Sequence, residues 1–316
     1  MPLWFDLMMS GSTAASGGLL LATAANSKVS KTTDGITWTA ANPFFGVYDV
    51  NSAGMDSTYA VVVANGGNLA TAPYPSISAW TNRTSSFGST NILSVLKYGS
   101  TWVASGQSLK LATASDPTST WTQNSSSGIT GSQINYLMQG DTKLYATTDA
   151  DTLWETTNPA GTWTNVTPSF GGASANFRKF AWNGSLYVMA IRISTGGTSG
   201  RHEIWTATSI SGTWTQRYTE TYSSAGNSNT QAYYLGGSFF VPIPNGSFRI
   251  SSDGITWAAG TPPVSPIPAN VRMAYIAGNY VWGTTGPNVY YSPNYTTWTS
   301  VNSQVGSNAI NSLVVG

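Results

Sequence analysis

Residues Ile134–Thr167 read INYLMQGDTKLYATTDADTLWETTNPAGTWTNVT, and their pattern decides the fold. INYLMQG (134–140), TKLYATTD (142–149), TLWETTNPAG (152–161) and TWTNVT (162–167) are short apolar or β-branched runs bounded by Gly, Asp, Asn or Pro. Such runs read as strands joined by tight turns. The layout recurs in ILSVLKYG (92–99) with TWVASG after it, in FRKFAWNG (177–184) with SLYVMAI, and in VRMAYIAG (271–278) with NYVWGTT. No stretch carries the 3.6-residue apolar period of a helix.

Outward from that unit, a Trp followed by a small residue returns at Trp38, Trp80, Trp121, Trp163, Trp214, Trp257 and Trp298, at intervals of 42, 41, 42, 51, 43 and 41. Thr precedes six of the seven; Ala79 precedes Trp80. A period of roughly 40 to 50 residues built of strands is that of a propeller blade. The expectation is all-β: a seven-bladed β-propeller of four-stranded antiparallel blades over residues 18–316, in one domain. A single four-stranded sheet cannot bury its own faces, so the recurring Trp is read as the anchor of each inter-blade core, on a fixed strand position.

A ring must join its last blade to its first. A Gly stands 20 residues ahead of the anchoring Trp at Gly237, Gly278 and Gly18, whereas the C-terminal AINSLVVG (309–316) has the pattern of a first strand and then the chain stops. Placed beside the strands of residues 18–40, it closes the ring with strands from both termini and removes two free edges. Residues 1–17 are left over. Leu3, Trp4, Phe5, Leu7, Met8 and Met9 form an apolar patch followed by SGSTAASG, read as a docking arm and linker for assembly with a larger partner. The alternative makes residues 3–10 the first strand of the first blade.

The 316 residues include no Cys, 13 Trp, 16 Tyr and 10 Phe; 41% are hydrophobic and only 8% charged. There is ample core material, so disorder is excluded. A net charge of +1 without a Lys/Arg cluster lacks the footprint of a nucleic-acid or anionic-membrane binder. Absence of Cys removes disulfides and thiolate chemistry. The N-terminus has no cationic start of an export signal, and runs such as YAVVVA (59–64) are far below the ~18 residues of a membrane span. The expectation is therefore no cleaved leader, no membrane insertion and no nucleic-acid partner.

Two units carry a sharper motif, TTDGITW (32–38) and SSDGITW (251–257). They resemble the Asp-box, or BNR, repeat of sialidase-type propellers, with one residue fewer between Asp and Gly. The other units, SPNYTTW, TSISGTW, TNPAGTW, SDPTSTW and PYPSISAW, keep the turn and the Trp. The resemblance implies fold, and it implies that the box is a turn at the blade periphery. Asp34 and Asp253 then accept local N–H bonds while Gly35 and Gly254 supply positive φ. It does not imply sialidase activity, because the Arg-Ile-Pro segment ahead of the first box is missing and the first Arg is Arg83. Arg249 before the second box reads as a surface residue.

Chemistry-bearing groups are sparse. Two carboxylates converging within about 5 to 9.5 Å would be needed for glycoside hydrolysis, and Glu155, Glu203, Glu220 and the nine Asp are scattered among units. Asp149, Asp151 and Glu155 are the densest acidic group; an inter-strand turn is the favoured reading over a Ca²⁺ site. Arg201, His202 and Glu203, beside GGTSG in the unit with the 51-residue interval, are read as a candidate surface contact loop. No catalytic residue, metal site or cofactor is expected.

The function expected is that of a noncatalytic virion component of a tailed bacteriophage, a tail, fibre or capsid appendage. It would be assembled in the host cytoplasm and exposed outside, bound to other virion proteins through the arm and presenting loops to a host-surface glycan or receptor. A chain with an external-type Ser/Thr/Asn/Gly surface, no export signal and no cystine fits that life history, and it looks like the DG-x-TW repeat proteins of phage genomes. The rivals are a lectin using Trp102, Trp154, Trp182, Trp205 or Trp282 as sugar platforms, and a divergent glycosidase.

Overall fold

A computed structural model describes residues 18–170, 175–196, 199–222, 231–244, 246–268, 271–284 and 286–316. The expected arm, Leu3 to Met9, lies outside them. The chain forms seven four-stranded antiparallel sheets around one axis. Blade I contains β1 (Leu20–Ala24), β2 (Lys28–Thr32) and β3 (Thr39–Ala40); blade II β4 (Val50–Met55), β5 (Tyr59–Ala64), β6 (Leu69–Pro73) and β7 (Thr81–Arg83). Blade III contains β8 (Ile92–Tyr98), β9 (Thr101–Gly106), β10 (Leu111–Ala114) and β11 (Thr122–Gln123); blade IV β12 (Ile134–Gln139), β13 (Leu144–Thr148), β14 (Leu153–Thr156) and β15 (Thr164–Asn165). Blade V follows with β16 (Ala175–Trp182), β17 (Tyr187–Gly196), β18 (Ser199–Ala207) and β19 (Thr215–Tyr222). Blade VI has β20 (Tyr233–Leu235), β21 (Ser238–Pro242), β22 (Phe248–Ser251) and β23 (Ala258–Gly260); blade VII β24 (Arg272–Ile276), β25 (Asn279–Gly283), β26 (Asn288–Ser292) and β27 (Thr299–Asn302).

The last strand, β28 (Ile310–Val315), is the inner strand of blade I, giving the order β28-β1-β2-β3. It pairs with β1 from Leu20↔Val315 to Ala24↔Ile310, and Leu19 and Gly316 exchange backbone bonds at its end. The ring is thus closed by strands from both ends of the propeller, as the residue pattern required, and the first-strand place in blade I belongs to β28.

The apolar residues fall into seven clusters, one per junction. Trp121 lies with Val61, Val63 and Leu69 of blade II and Val95 and Trp102 of blade III. Trp80 packs with Leu21 and Val29 of blade I, Trp163 with Leu96 and Val103 of blade III, and Trp214 with Met138 and Leu153 of blade IV. Trp38 closes the ring against Ala274, Ile276 and Val281 of blade VII. Each anchor therefore faces the preceding blade. Two corrections follow. Every anchor stands in the turn just ahead of the outer strand, not on a strand, and Trp257 and Trp298 are only partly buried at their junctions.

The turns that deliver the Trp are built from side-chain oxygen. Asp34 Oδ1 accepts the N–H groups of Ile36 and Thr37 at 2.8 Å and the Thr32 hydroxyl at 2.7 Å; Asp253 Oδ1 does the same for Ile255, Thr256 and Ser251. These donors outweigh partial burial and hold the Asp34 carboxyl below its ordinary range, and they bring Asp253 to about 2. Gly35 and Gly254 have φ of +76° and +74°, and a Cβ on either would meet Val281 or Leu186 of the preceding blade at 2.7 or 2.5 Å. Glycine is required there for both conformation and close approach. In blade VII, Asn294 Oδ1 accepts from Thr296 and Thr297 in the same way. Asp34→Asn is accordingly expected to keep stability within about 0.5 kcal/mol, whereas Asp34→Ala loses about 1 kcal/mol, the scale of a lost side-chain cap. Urea unfolding of the two variants checks this.

Candidate functional site

Residues at the start of the inner strands clip blade VI to VII, VII to I, I to II and II to III. Tyr233 OH donates to Val271 O at 2.9 Å, Arg272 Nε to Asn311 O at 2.7 Å, Asn311 Nδ2 to Val50 O at 3.0 Å and Asn51 Nδ2 to Ile92 O at 2.7 Å. Ser94 Oγ accepts from Leu137 N at 3.1 Å, which carries the series on to blade IV. Inside this girdle lies a cavity of about 110 Å³ lined from all seven inner strands. Ser52, Ser94, Ser312, Tyr233, Tyr275 and Lys179 are its polar lining; Leu96, Met138, Leu235, Met273, Leu313 and Val314 are among its apolar walls. Among the described residues, Lys179 is the charged one in the lining, with its Nζ 4.9 Å from the centre of the Tyr136 ring. These axial residues were missed in the sequence, although a signal exists: VNS (50–52), ILS (92–94) and INS (310–312) put Ser two places after the aliphatic residue that opens the strand.

The acidic residues are engaged elsewhere. Asp149 accepts the N–H groups of Ser132 and Gln133, Asp151 accepts from Asn176, and Glu155 pairs with Lys143. The Asp149, Asp151 and Glu155 carboxylates point to different partners, and among the described residues no group of three His, Asp or Glu is placed to hold a metal ion. Asp56 accepts from Thr58 and Tyr59 and pairs with Lys97 at 3.3 Å. Among the described residues, no carboxylate lines the axial cavity.

The sequence expectation of a contact loop at Arg201, His202 and Glu203 is corrected. All three are in β18, whose nine residues pair with the ten of β17, because the extra residues of this unit lengthen the hairpin instead of forming an irregular insertion. His202 and Glu203 are each 2% exposed. Glu203 accepts from Arg201 and, at 2.7 Å, from Trp205 Nε1 on one face of the strand. His202, on the other face, lies opposite Arg192 of β17 and Glu220 of β19. Glu220 accepts from Tyr218 and Ser247 and lies 3.9 Å from Arg249, whose guanidinium covers the Tyr218 ring.

Burial holds the His202 imidazole at about 4, well below 6.5; the Glu220 carboxylate opposes this and the Arg192 guanidinium adds to it. Between pH 6.5 and 4 the unfolded chain takes up a proton that the folded chain refuses. Stability complete above pH 6.5 is therefore lost as pH falls toward 4, by about 3 kcal/mol. Urea titrations across this window should show the slope in the wild type and lose most of it in His202→Leu. The depressed carboxyls of Asp34 and Asp253 lose their contribution in a lower window, below about pH 4.

The non-anchor Trp residues among those described are packed against other side chains. Trp102 and Trp282 are fully buried and Trp154 nearly so, within junction cores. Trp182 is stacked on Tyr187 and Trp205 packs against Phe170, both partly exposed. Among the described residues, the large exposed apolar side chains are Ile36 and Ile255, in the Asp34 and Asp253 turns, and Phe44, Val47 and Tyr48, which lie together in the connection from β3 to β4. That connection meets the β1–β2 turn, where Ser27 Oγ donates to Pro43 O at 2.6 Å, so it belongs to the ring face that also carries the β17–β18 hairpin end.

No protein-family model matches the chain, and no curated protein matches it in sequence. Solved structures match its shape. YCF48 from Cyanidioschyzon merolae is 13% identical with a TM-score of 0.59, over 86% of this chain and 96% of that one. YCF48 bound to D1 peptide is 12% identical with a TM-score of 0.58, over 96% and 98%. The WD40 β-propeller domain of Doa1 is 12% identical with a TM-score of 0.55, over 93% and 95%. At these identities the likeness is one of fold: the chain is a seven-bladed β-propeller.

Proposed function

We propose that the protein is a noncatalytic component of a tailed-bacteriophage particle, a tail, fibre or capsid-appendage propeller that holds a loop-bearing face toward a protein or glycan partner. The observation that carries the noncatalytic part is the commitment of the carboxylates. Asp34, Asp149 and Asp253 cap turns, Glu155 and Glu203 are ion-paired, and the axial cavity is lined by hydroxyls, apolar groups and Lys179. A glycosidase needs two carboxylates facing one cleft. The exposed Phe44, Val47 and Tyr48 supply an apolar contact on one ring face. A propeller of similar fold has been solved bound to a peptide, which supports a protein partner for this one.

The phage assignment rests on composition, on the likeness of TTDGITW and SSDGITW to Asp-box turns, and on the apolar patch of residues 3–9 as the attachment to neighbouring virion proteins. Peptide mass spectrometry of purified particles tests it. The chain should be present in stoichiometric amount in intact virions and be labelled on their surface by antibody. Its recovery only from the soluble lysate, or turnover of sialosides or host polysaccharide by the purified protein, would overturn the proposal.

A further inference from the structure

We propose that copies of this protein stack head to tail, with residues 3–9 of one copy seated on Phe44, Val47 and Tyr48 of the next. The inference rests on reading residues 3–9 as an attachment segment and names the partner of that segment as a second copy of this chain. Phe44 is 84% exposed, Val47 80% and Tyr48 46%. Ile36 and Ile255 stand singly in turns, which is ordinary, whereas three large apolar side chains together mark an interaction surface. The patch is held in place by its backbone. Ser27 Oγ accepts from Phe45 N at 3.0 Å and donates to Pro43 O at 2.6 Å, while Ser27 N donates to Tyr48 O at 2.7 Å. Phe45 is buried, and Gly66 lies so close under the Tyr48 ring that a Cβ there would come within 2.9 Å of it. Phe44 and Val47 are thus presented outward by a connection tied down on both sides, which lowers the ordering cost of binding.

The occupant follows from where the chain enters the ring. Residues 3–9, LWFDLMM, are apolar except for Asp6, and blade I does not need them, because β28 fills its inner place. The described chain starts at Gly18, at the end of β1 that lies beside Gly316, whereas the patch sits over the β1–β2 turn at the other end of that strand. Segment and patch therefore belong to opposite faces of the ring. Residues 10–17, fully extended, span at most about 29 Å. Reaching the patch of the same copy takes about 13 Å along β1, and about 10 Å outward past β2 and β3 and again on the return. That route is longer than the segment. A second copy stacked on the first presents its patch directly to the face from which the segment leaves. The contact is heterologous and leaves a further segment and a further patch unused, so it repeats as an open stack. A net charge of +1 puts little repulsion between copies.

Sedimentation velocity of the full chain from micromolar to millimolar concentration tests the contact. The wild type should form dimers, trimers and longer species as concentration rises. A segment variant, Trp4→Ser with Phe5→Ser, and a patch variant, Phe44→Ser with Val47→Ser, should each weaken self-association at least about tenfold. Mixed in equal amounts, the two variants should form dimers and nothing longer, because the intact segment of one meets the intact patch of the other once. A peptide of residues 1–10 added to the wild type should return the stacks to monomers, a readout that stands even if a variant fails to fold. A wild type that stays monomeric throughout, whether its segment folds onto its own ring or its patch takes another partner, would overturn the proposal. So would a segment variant that still associates, a wild type that stops at dimers, a mixture of folded variants that stays monomeric, or stacks that saturating peptide leaves intact. Particles that contain the chain while the purified chain stays monomeric would sink this contact alone; stacking of a chain absent from particles would sink the particle role alone.

Discussion

A chain ending at Ser307 is expected to have no cooperative native state. The truncation removes β28, which is not a terminal appendage but the inner strand of blade I, between the neighbouring inner strands and β1. Ile310 is buried in the cluster that joins blades VII and I, and Val314 packs on the cluster joining blades I and II. Without β28, Arg272 loses its acceptor at Asn311, Val50 loses the Asn311 amide, and the whole inner edge of β1 from Leu20 to Ala24 is left unpaired. Burial of one aliphatic side chain is worth about 1.5–3 kcal/mol and each backbone bond about 0.5–1.5 kcal/mol net. Several of each together equal the whole stability of a domain, about 5–15 kcal/mol. Near-UV circular dichroism and urea unfolding should show loss of fixed tertiary structure, and a peptide of residues 308–316 added in trans should restore part of it. A truncated chain with a sharp, nearly wild-type transition would mean that the ring does not need this strand.

Trp121→Ala should cost about 3–5 kcal/mol, the scale for removing a buried aromatic. Trp121 is 1% exposed, its indole N–H is bonded to Pro117 O at 3.3 Å, and its ring fills the junction of blades II and III with Val61, Leu69 and Trp102. Trp257→Ala is the comparison. The position in the repeat is the same, yet the ring is only partly buried against the blade V/VI cluster, so less area returns to water and the loss should be smaller by at least about 1 kcal/mol. Equal losses at the two sites would show that burial at the junction does not set the role of the anchor.

The comparison of these two Trp residues also marks what the sequence could carry. The period of Trp38 to Trp298 encodes blade number and blade size, because each four-stranded sheet must present one large aromatic to its neighbour. The closure was legible in AINSLVVG for the same reason: a first-strand pattern at the end of a ring has only one free place. How deeply each anchor is buried depends on the facing blade, which the local motif does not contain. Blade V was misread because a Gly/Ser/Thr-rich insertion has the composition of a loop, whereas Arg192 to Ser194 and Gly200 to His202 extend a hairpin by pairing with each other. The axial site was hidden more deeply. Lys179, Ser52, Ser94 and Ser312 are far apart in the chain, and only the ring symmetry brings them to one cavity.

Native-state hydrogen exchange at the amides of β28 tests the account most directly. If the closed ring is one cooperative unit, the hydrogen-bonded amides of Ile310–Val315 exchange only through global unfolding, with the same free energy and the same denaturant dependence as those of β4 and β8. Exchange of β28 through a separate, smaller opening, with β4 and β8 still protected, would contradict closure by the last strand as the basis of the fold.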